Sequence, residues 1–193
     1  MLFTTLIALL WSTSFSTDYF TRTAYVHVES SNDIMDVRAD NYQVNSTLDL
    51  ESGEISFSGL LKSFEFELGL ANRLLQGERI DVREHPKFTF EGTISGFTPQ
   101  QAATPGIYGA DITGVLSIWG YERLTSTTGQ IEVLADGRLK AKSTFTMRIE
   151  EESMKKINDL MRQYLPSQLN VTSDQLGVSR NIEVEVSMTY RSI

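Results

Sequence analysis

The sequence predicts an all-β protein, a closed antiparallel eight-stranded β-barrel with one or two short helices. Apolar and polar residues alternate with a period of two along most of the chain, which is the pattern of strands that bury one face. Strands and helices do not alternate regularly, so a parallel sheet is not expected. Because closure removes the exposed edges of an antiparallel sheet, a barrel is favoured over an open sheet.

Length, charge and composition narrow the class of protein. The 193 residues suffice for a single domain with one core, and 40% of them are hydrophobic. With a net charge of −8, the chain lacks the positive surface that nucleic acids and anionic membranes require, so neither is expected as a partner. It has no cysteine and two histidines, which excludes disulfides, thiolate metal sites and three-histidine metal sites. We therefore expect no cofactor.

The first residues predict a leader rather than a part of the domain. Residues 2–11 are mostly apolar, and no charge occurs before Asp18. This run is about half as long as a membrane-spanning helix needs, and the small residues after it are typical of a signal-peptide cleavage site. The sequence thus predicts a signal peptide at residues 1–16, a barrel domain at residues 17–193, and export to a bacterial periplasm or beyond. The alternative is a buried first strand or helix of the domain.

Four strands are predicted in the first half of the domain. Period-two alternation begins at Thr23–Glu29, and Asn45–Asp49 and Glu54–Ser58 flank a glycine turn that predicts a hairpin. Leu60–Leu68 alternates phenylalanine with glutamate, as a strand with one buried and one wet face does. Its phenylalanines have even numbers, whereas the apolar residues of the preceding strand have odd numbers. A turn or bulge is therefore expected at Leu60–Ser63.

Two helices, a loop and further strands complete the prediction. Leucine spacing predicts a short helix within Gly69–Arg83, after which Lys87–Ile94 alternates again. Ser95–Gly109 contains two of the four prolines and is expected to be a loop. Apolar residues three and four apart predict the clearest helix at Ser153–Tyr164. The remaining predicted strands are Ala110–Trp119, Leu124–Leu134, Arg138–Ile149 and Asn181–Tyr190, with a tight Asp-Gly turn before the third.

Several ordered segments resemble the YceI-like family of small exported bacterial proteins. The resemblance begins with a strand ending in phenylalanines and a short helical linker. An aspartate-valine-x-x-x-proline-x-x-x-phenylalanine stretch follows, then a strand of the pattern glycine-x-leucine-threonine-isoleucine-histidine-glycine and a closing strand, IEVEVSMTY. Trp119 and Tyr121 depart from the family, which usually has histidine and an aliphatic residue there, so the contact with a polar ligand head is expected to differ. The matching positions are Asp81, Val82, Pro86, Phe90, Gly114, Leu116, Ile118 and Gly120.

The resemblance implies a lipocalin-like barrel, without catalytic activity, whose interior holds an isoprenoid or another long-chain lipid. Such a protein would act as a monomer or homodimer and would not need a stable membrane span. Each CH₂ of a lipid moved from water into an apolar lining contributes about 0.8 kcal/mol, so no charged anchor is required. The alternative is a dry, filled core. The residues expected to contact the ligand are Phe57, Phe64, Phe66, Phe88, Phe90, Leu116, Ile118, Phe145, Met147, Val184 and Val186.

Two other functions are compatible with the sequence. A protein with a filled barrel would act in stress or in protein interaction through the Ser153–Tyr164 helix or the Ser95–Gly109 loop. An enzyme acting on an apolar substrate would need an ionisable residue beside the tunnel. Alternating glutamates on a strand are more typical of a solvent-facing side, so catalysis is not expected. The ionisable candidates are Glu65, Glu67, His27 and His85.

Overall fold

Strands make up most of the chain that the computed structural model describes. It describes residues 17–31, 36–67, 69, 72, 84–149, 151, 155, 159 and 179–193. The predicted signal peptide at residues 1–16 lies outside them, as do most residues of the predicted helices Gly69–Arg83 and Ser153–Tyr164. The strands are β1 Asp18–Ser31, β2 Asp36–Asp49, β3 Glu54–Leu60, β4 Glu65–Phe66, β5 Lys87–Ser95, β6 Gly106–Ile118, β7 Tyr121–Val133, β8 Leu139–Arg148 and β9 Asn181–Ser192.

Eight of these strands close into an antiparallel barrel, which confirms the predicted fold class. Their order around the barrel is β1-β9-β8-β7-β6-β5-β3-β2, and the pairing of β2 with β1 closes the ring. The two-residue strand β4 is an addition to the ring and pairs with the first half of β2. In this order β3 stands opposite β8, so residues on their inner faces meet across the interior.

Alternation along each strand decides which side chains enter the core. In β5, Phe88, Phe90 and Ile94 are buried, whereas Lys87 and Glu91 point to solvent and are exposed. The inward side chains of the strands form one hydrophobic cluster. Full burial of a large apolar side chain stabilises a fold by about 1.5–3 kcal/mol, so this shared cluster is the main source of stability.

The expected change of register between β3 and β4 is present. A short 3-10 helix at Leu61–Ser63 separates the two strands, and the backbone N–H of Leu61 donates to Pro86 O at 2.9 Å. Leu61 itself is buried. Inward residues have odd numbers before this turn and even numbers after it. Phe57, Phe64 and Phe66 therefore all pack against the same core.

Several predicted boundaries were wrong. Strand β1 begins at Asp18 rather than at Thr23. Leu60 ends β3, and among the other described residues of the predicted strand Leu60–Leu68 only Glu65–Phe66 forms a strand.

Within Ser95–Gly109, predicted as a loop, Pro99–Ala102 is helical and β6 already begins at Gly106. The sequence signal for this helix is a capping box, in which the side chains of Thr98 and Gln101 each bond the other's backbone N–H.

Strand β2 begins nine residues before the predicted Asn45, at Asp36. Tyr42 and Gln43 are both exposed, so a bulge interrupts the alternation on which the prediction depended. Beside the bulge, buried Asn41 donates from Nδ2 to Leu60 O at 3.0 Å and accepts from Gln43 N at 2.9 Å. These bonds satisfy the polar side chain inside the barrel wall.

The two ends of the barrel differ in burial. We call the end with the β2–β3, β5–β6 and β7–β8 turns the lower end, and the end with the β6–β7 turn the upper end. Inward side chains at the lower end are buried, among them Tyr19, Leu48, Leu50, Ile94, Phe97, Ala102, Ala110, Ile131, Val133, Leu139 and Tyr190. At the upper end several large apolar side chains are only partly buried, namely Val28, Phe64, Phe66, Ile118, Trp119, Met147 and Ile182.

Candidate ligand cavity

A narrow cavity lies inside the barrel. Its volume is ≈50 Å³, which suffices for a few water molecules but not for a long chain. Apolar side chains dominate its walls. The lining residues are Leu48, Ile55, Phe57, Phe90, Ile94, Ala110, Ile112, Thr125, Thr127, Gly129, Gln130, Ile131, Ala141, Lys142, Ser143, Phe145, Val186, Met188 and Tyr190.

One side of the interior is formed by phenylalanine rings. Phe57 stacks on Phe90 with ring centroids 5.0 Å apart and planes 8° apart. Phe88 meets Phe57 edge-on at 6.4 Å and Phe64 at 5.5 Å, and Phe64 lies 6.5 Å from Phe66. We call these five residues the aromatic wall. They connect the upper end of the barrel with the cavity, and each such pair stabilises by about 0.5–1.5 kcal/mol beyond its buried area.

Glycines make room for the aromatic wall. Gly92 of β5 pairs with Gly114 of β6, and a Cβ at either position would lie within 2.9 Å of the Phe90 ring. A Cβ at Gly59 would lie 2.6 Å from the ring of Phe88. The rings therefore lie directly against bare backbone, and any larger residue at these positions would displace them.

The upper end of the aromatic wall is held by Asn72. The backbone N–H of Phe66 donates to Asn72 Oδ1 at 2.9 Å, and Asn72 Nδ2 donates to Phe66 O at 2.6 Å. The side-chain amide thus takes the place of a neighbouring strand and fixes the backbone that carries Phe66.

The other side of the cavity carries hydroxyl groups. Thr125 and Thr127 of β7 and Ser143 of β8 belong to its lining, and Thr127 Oγ1 lies 3.2 Å from Ser143 Oγ. The sequence prediction did not include these three residues. The alternation along β7 could have predicted two of them. Odd-numbered residues of this strand face inward, so residues 125 and 127 lie on the same face as buried Ile131 and Val133.

The eleven residues predicted to contact a ligand all belong to the core cluster or pack against it. Four of them also line the cavity, namely Phe57, Phe90, Phe145 and Val186. Phe88, Leu116 and Val184 are buried in the core outside the cavity lining. The half-buried members, which extend toward the upper end, are Phe64, Phe66, Ile118 and Met147. Contact between these residues and a ligand stays a prediction.

Tyr190 forms the lower boundary of the cavity. Its side chain is fully buried, and its hydroxyl lies 2.7 Å from Ser46 Oγ and 3.0 Å from the sulfur of Met188. Ser46 Oγ also donates to Ser56 O at 2.6 Å. Burial raises the pKa of Tyr190, and the hydrogen bond to Ser46 offsets this only in part.

The ionisable candidates of the sequence lie away from the cavity. Glu65, Glu67 and His85 are exposed, and none of the three belongs to the cavity lining. His27 points to the opposite side of β1 from buried Val26, as its alternation predicted. None of these four residues therefore supports the enzyme hypothesis.

His27 instead belongs to a polar group on the outer surface. Its Nδ1 lies 2.8 Å from Asp40 Oδ1, which also accepts a hydrogen bond from Tyr25 Oη at 2.6 Å. Partial burial raises the pKa of Asp40, but the hydrogen bonds from Tyr25 and His27 outweigh it and hold that pKa below its ordinary value. The hydrogen bond to Asp40 raises the pKa of Tyr25. This group orders the outer faces of β1 and β2.

Trp119 and Gly120 form the turn between β6 and β7 at the upper end. Both have a positive φ, 53° and 78°, which costs a residue with a side chain about 1–2 kcal/mol. The indole Nε1 of Trp119 is buried, and the described part of the chain offers it no hydrogen-bond partner. Exposed His85 lies against the turn, with Nε2 2.7 Å from where a Cβ at Gly120 would stand. Strain and an unsatisfied donor coincide at this turn, as they often do near functional sites.

Other site types find little support in the described residues. A larger hollow of ≈470 Å³ at the lower end is bordered by Asp49, Glu54 and Glu91, and so many carboxylates are unfavourable neighbours for an apolar chain. Within the described ranges, no three histidine, aspartate or glutamate side chains are grouped so that they could hold a metal ion. The helices described here include none that is long and apolar enough to cross a membrane.

Comparison with known proteins identifies the fold. No protein-family model and no curated protein sequence matches the chain. A polyisoprenoid-binding domain from Saccharophagus degradans, implicated in plant cell wall breakdown, matches with a TM-score of 0.72 at 13% identity, over 93% of this chain and all (100%) of that domain. This chain has the fold of the YceI-like barrels.

Two further solved structures share the YceI-like fold. BcnA from Burkholderia cenocepacia matches with a TM-score of 0.60 at 13% identity, over 88% of this chain and 96% of that one. A YceI protein from Campylobacter jejuni matches with a TM-score of 0.52 at 14% identity, over 100% of both chains. These likenesses confirm the fold that the sequence resemblance predicted.

Proposed function

We propose that this YceI-like barrel is a non-enzymatic binding protein that holds an isoprenoid-like or other long-chain lipid. The aromatic wall is the observation that carries the proposal, because it leads from half-buried rings at the upper end to an apolar cavity. A lipid chain lying along these rings would remove their exposed surface from water. Each buried CH₂ would contribute about 0.8 kcal/mol without any charged contact. The polyisoprenoid-binding domain that shares the fold supports this class of ligand.

The cavity has to widen to take such a chain. Its ≈50 Å³ is too small for an isoprenoid of many carbons. Met147, which lies above the cavity on the same face of β8 as Phe145, has a flexible side chain that can repack around a ligand. Binding is therefore coupled to movement of side chains or strands.

The narrowness of the cavity also favours a second candidate function. A barrel that stays filled would act through its surface, as a stress or interaction protein. The Ser153–Tyr164 helix that would serve this purpose lies mostly outside the described residues. Ligand uptake by the purified protein decides between the two functions.

Retinol, an isoprenoid alcohol that fluoresces more strongly in apolar surroundings, is a suitable probe. We expect saturable binding by the wild-type protein and loss of binding in Ala141→Phe, since Ala141 lines the cavity and a ring there would fill it. Its neighbour Lys140 is exposed on the other face of β8, so Lys140→Phe is the matched control and should bind as the wild type does. Ala141→Leu is a smaller obstruction in case the larger one impairs folding.

A folded Ala141→Phe variant that binds retinol with wild-type affinity would place the ligand outside the cavity. Absence of binding to the wild-type protein, for retinol as well as for palmitate, would instead favour the filled barrel. Native mass spectrometry of protein secreted by an exporting bacterial host is the direct complement, with a co-purified lipid as the expected result.

We also propose that residues 1–16 direct export and are removed. The apolar run, its length and the small residues after it support this. The mass of the protein recovered from the periplasm of an exporting host should lack this segment. An intact amino terminus in the exported protein would contradict the proposal.

A further inference from the structure

The barrel wall is joined incompletely between β7 and β8. Their ladder consists of five residue pairs, from Gly129 with Ser143 to Val133 with Leu139. On its other side, β7 pairs with β6 along its whole length, and β8 pairs likewise with β9. Residues 121–128 and 144–148 therefore form two facing strand edges without a ladder between them in the described part of the chain. We call the gap between these edges the slot.

Side-chain hydroxyls take over where the ladder ends. Ser143 Oγ donates to Thr128 O at 2.8 Å. Thr127 Oγ1 lies 3.3 Å from Thr128 O and 3.4 Å from Thr144 O, and either carbonyl can accept its proton. The two hydroxyl oxygens lie 3.2 Å apart. This hydroxyl clasp, formed by Thr127 and Ser143, replaces backbone ladder bonds with contacts that a change of rotamer can break. Directly above the last ladder pair, Gly129 with Ser143, the two strands are thus held together by side chains.

The slot leads into the cavity. Thr125 and Thr127 on one edge, and Ser143 and Phe145 on the other, are lining residues of the cavity. The outer rim is apolar as well, because Leu124 is 75% exposed beside its cross-strand partner Val115, which is 39% exposed. An apolar chain that passes between the strands therefore meets apolar side chains outside, hydroxyls in the wall and apolar side chains inside.

We infer that the slot between β7 and β8 is a side entrance through which the apolar chain of the ligand passes when the hydroxyl clasp opens. The inference rests on the proposed binding function and adds where the barrel opens. A cavity that is narrow at rest fits this entrance, because the strands part only while the chain enters and flexible side chains then repack around it. The ladders on the far side of each strand, β6–β7 and β8–β9, are continuous and would have to break backbone bonds to part in the same way.

A single engineered cross-link tests the entrance, since the chain has no cysteine of its own. Ser126→Cys with Thr146→Cys places thiols on the outer faces of both edges, at positions that continue the register of Gly129 with Ser143. A flexible bis-maleimide can join them across the gap. The control pair, Glu132→Cys with Lys140→Cys, joins residues that are already partners in the ladder.

The readout is the rate of retinol uptake in a stopped-flow experiment, with equilibrium binding measured alongside. We expect the linked slot to slow uptake at least about tenfold relative to the unlinked variant, which corresponds to about 1.4 kcal/mol in the barrier. The linked control should take up retinol at the wild-type rate. Because neither linked pair lines the cavity, equilibrium affinity should change by less than about twofold.

The hydroxyl clasp is tested separately by Thr127→Val with Ser143→Ala, which should accelerate uptake. Thr113→Val is the control, because its hydroxyl bonds Ser126 Oγ at 2.7 Å on the outer face, where the β6–β7 ladder is continuous. Wild-type uptake rates in the linked slot variant would overturn the side entrance while leaving the binding function intact. Failure of the wild-type protein to bind retinol would overturn the binding function, and the entrance with it.

Discussion

The lower and upper ends of the barrel follow the same alternation but use it differently. On β8, Leu139 at the lower end is completely buried, whereas Met147 at the upper end points to the same side and stays partly exposed. The lower end also receives Phe97 and Ala102 from the β5–β6 connection. Alternation thus decides only which side chains point inward, and the connections at each end decide how far they are buried.

The difference in burial between the two ends assigns folding stability to one end and ligand binding to the other. Large side chains that are completely buried contribute most to the free energy of unfolding, and they leave no surface for a ligand. Partly exposed apolar side chains contribute less to folding, and they gain when a ligand covers them. The lower end therefore stabilises the barrel, while the upper end and the aromatic wall hold the capacity to bind.

The largest expected effect is on the free energy of unfolding, when one inward residue from each end is replaced by alanine. Leu139→Ala should lower the free energy of unfolding by about 2–5 kcal/mol, because it leaves a cavity in a completely buried site. Met147→Ala should cost less than about half as much, since solvent already reaches its side chain. Urea unfolding of both variants measures the difference. Equal losses would show that the upper end is as tightly packed in solution as the lower end.

A bound ligand should stabilise the upper end of the barrel more than the lower end. Retinol at about 100 times its dissociation constant should raise the free energy of unfolding by about 2.7 kcal/mol. Hydrogen exchange should slow more at upper-end amides such as Ile118 than at lower-end amides such as Val133. Ala141→Phe should show neither effect. Equal protection of both ends would contradict a ligand that lies along the aromatic wall.

A smaller expected effect is a loss of folding stability at alkaline pH, caused by a tyrosine buried at the lower end. The pKa of Tyr190 is raised by burial, so above about pH 10 the unfolded chain ionises this group while the folded chain keeps it neutral. Stability conferred by the neutral form is complete below that pH and is lost as pH rises, by up to about 1.4 kcal/mol per pH unit. Tyr190→Phe should flatten this decline, as followed by urea unfolding between pH 9 and 11. Tyr19 and Tyr25, whose pKa values are also raised, account for the remaining slope. The same slope in wild type and variant would contradict the assignment.

How much of this structure is predictable from sequence depends on how local the deciding interaction is. The parity of Phe57 against Phe64 and Phe66 is a local property, and it predicts the turn at Leu61–Ser63. The capping box around Pro99–Ala102 is local too and was available in the sequence. The first half of β2 was hidden because a bulge at Tyr42 and Gln43 breaks the alternation.

The candidate site was predictable only in part. Alternation predicts which residues of β3, β5 and β8 face inward, and with them the aromatic wall. It cannot predict that β7 pairs with β8 over five residues only, because pairing depends on the path of both strands through the closed barrel. The hydroxyls of Thr127 and Ser143 look like ordinary strand residues until that path is known.

The smallest expected effect concerns the turn at the upper end. The buried indole N–H of Trp119 has no acceptor among the described residues, and leaving such a donor unsatisfied costs about 1–3 kcal/mol. Trp119→Phe removes the unsatisfied donor and keeps most of the ring contacts. The gain from removing the donor should therefore outweigh the loss of buried apolar area. The variant should be as stable as the wild type or up to about 1 kcal/mol more stable in urea unfolding. A loss of more than about 2 kcal/mol would mean that the indole donates a hydrogen bond in solution, and the upper end would then be as well satisfied as the lower end.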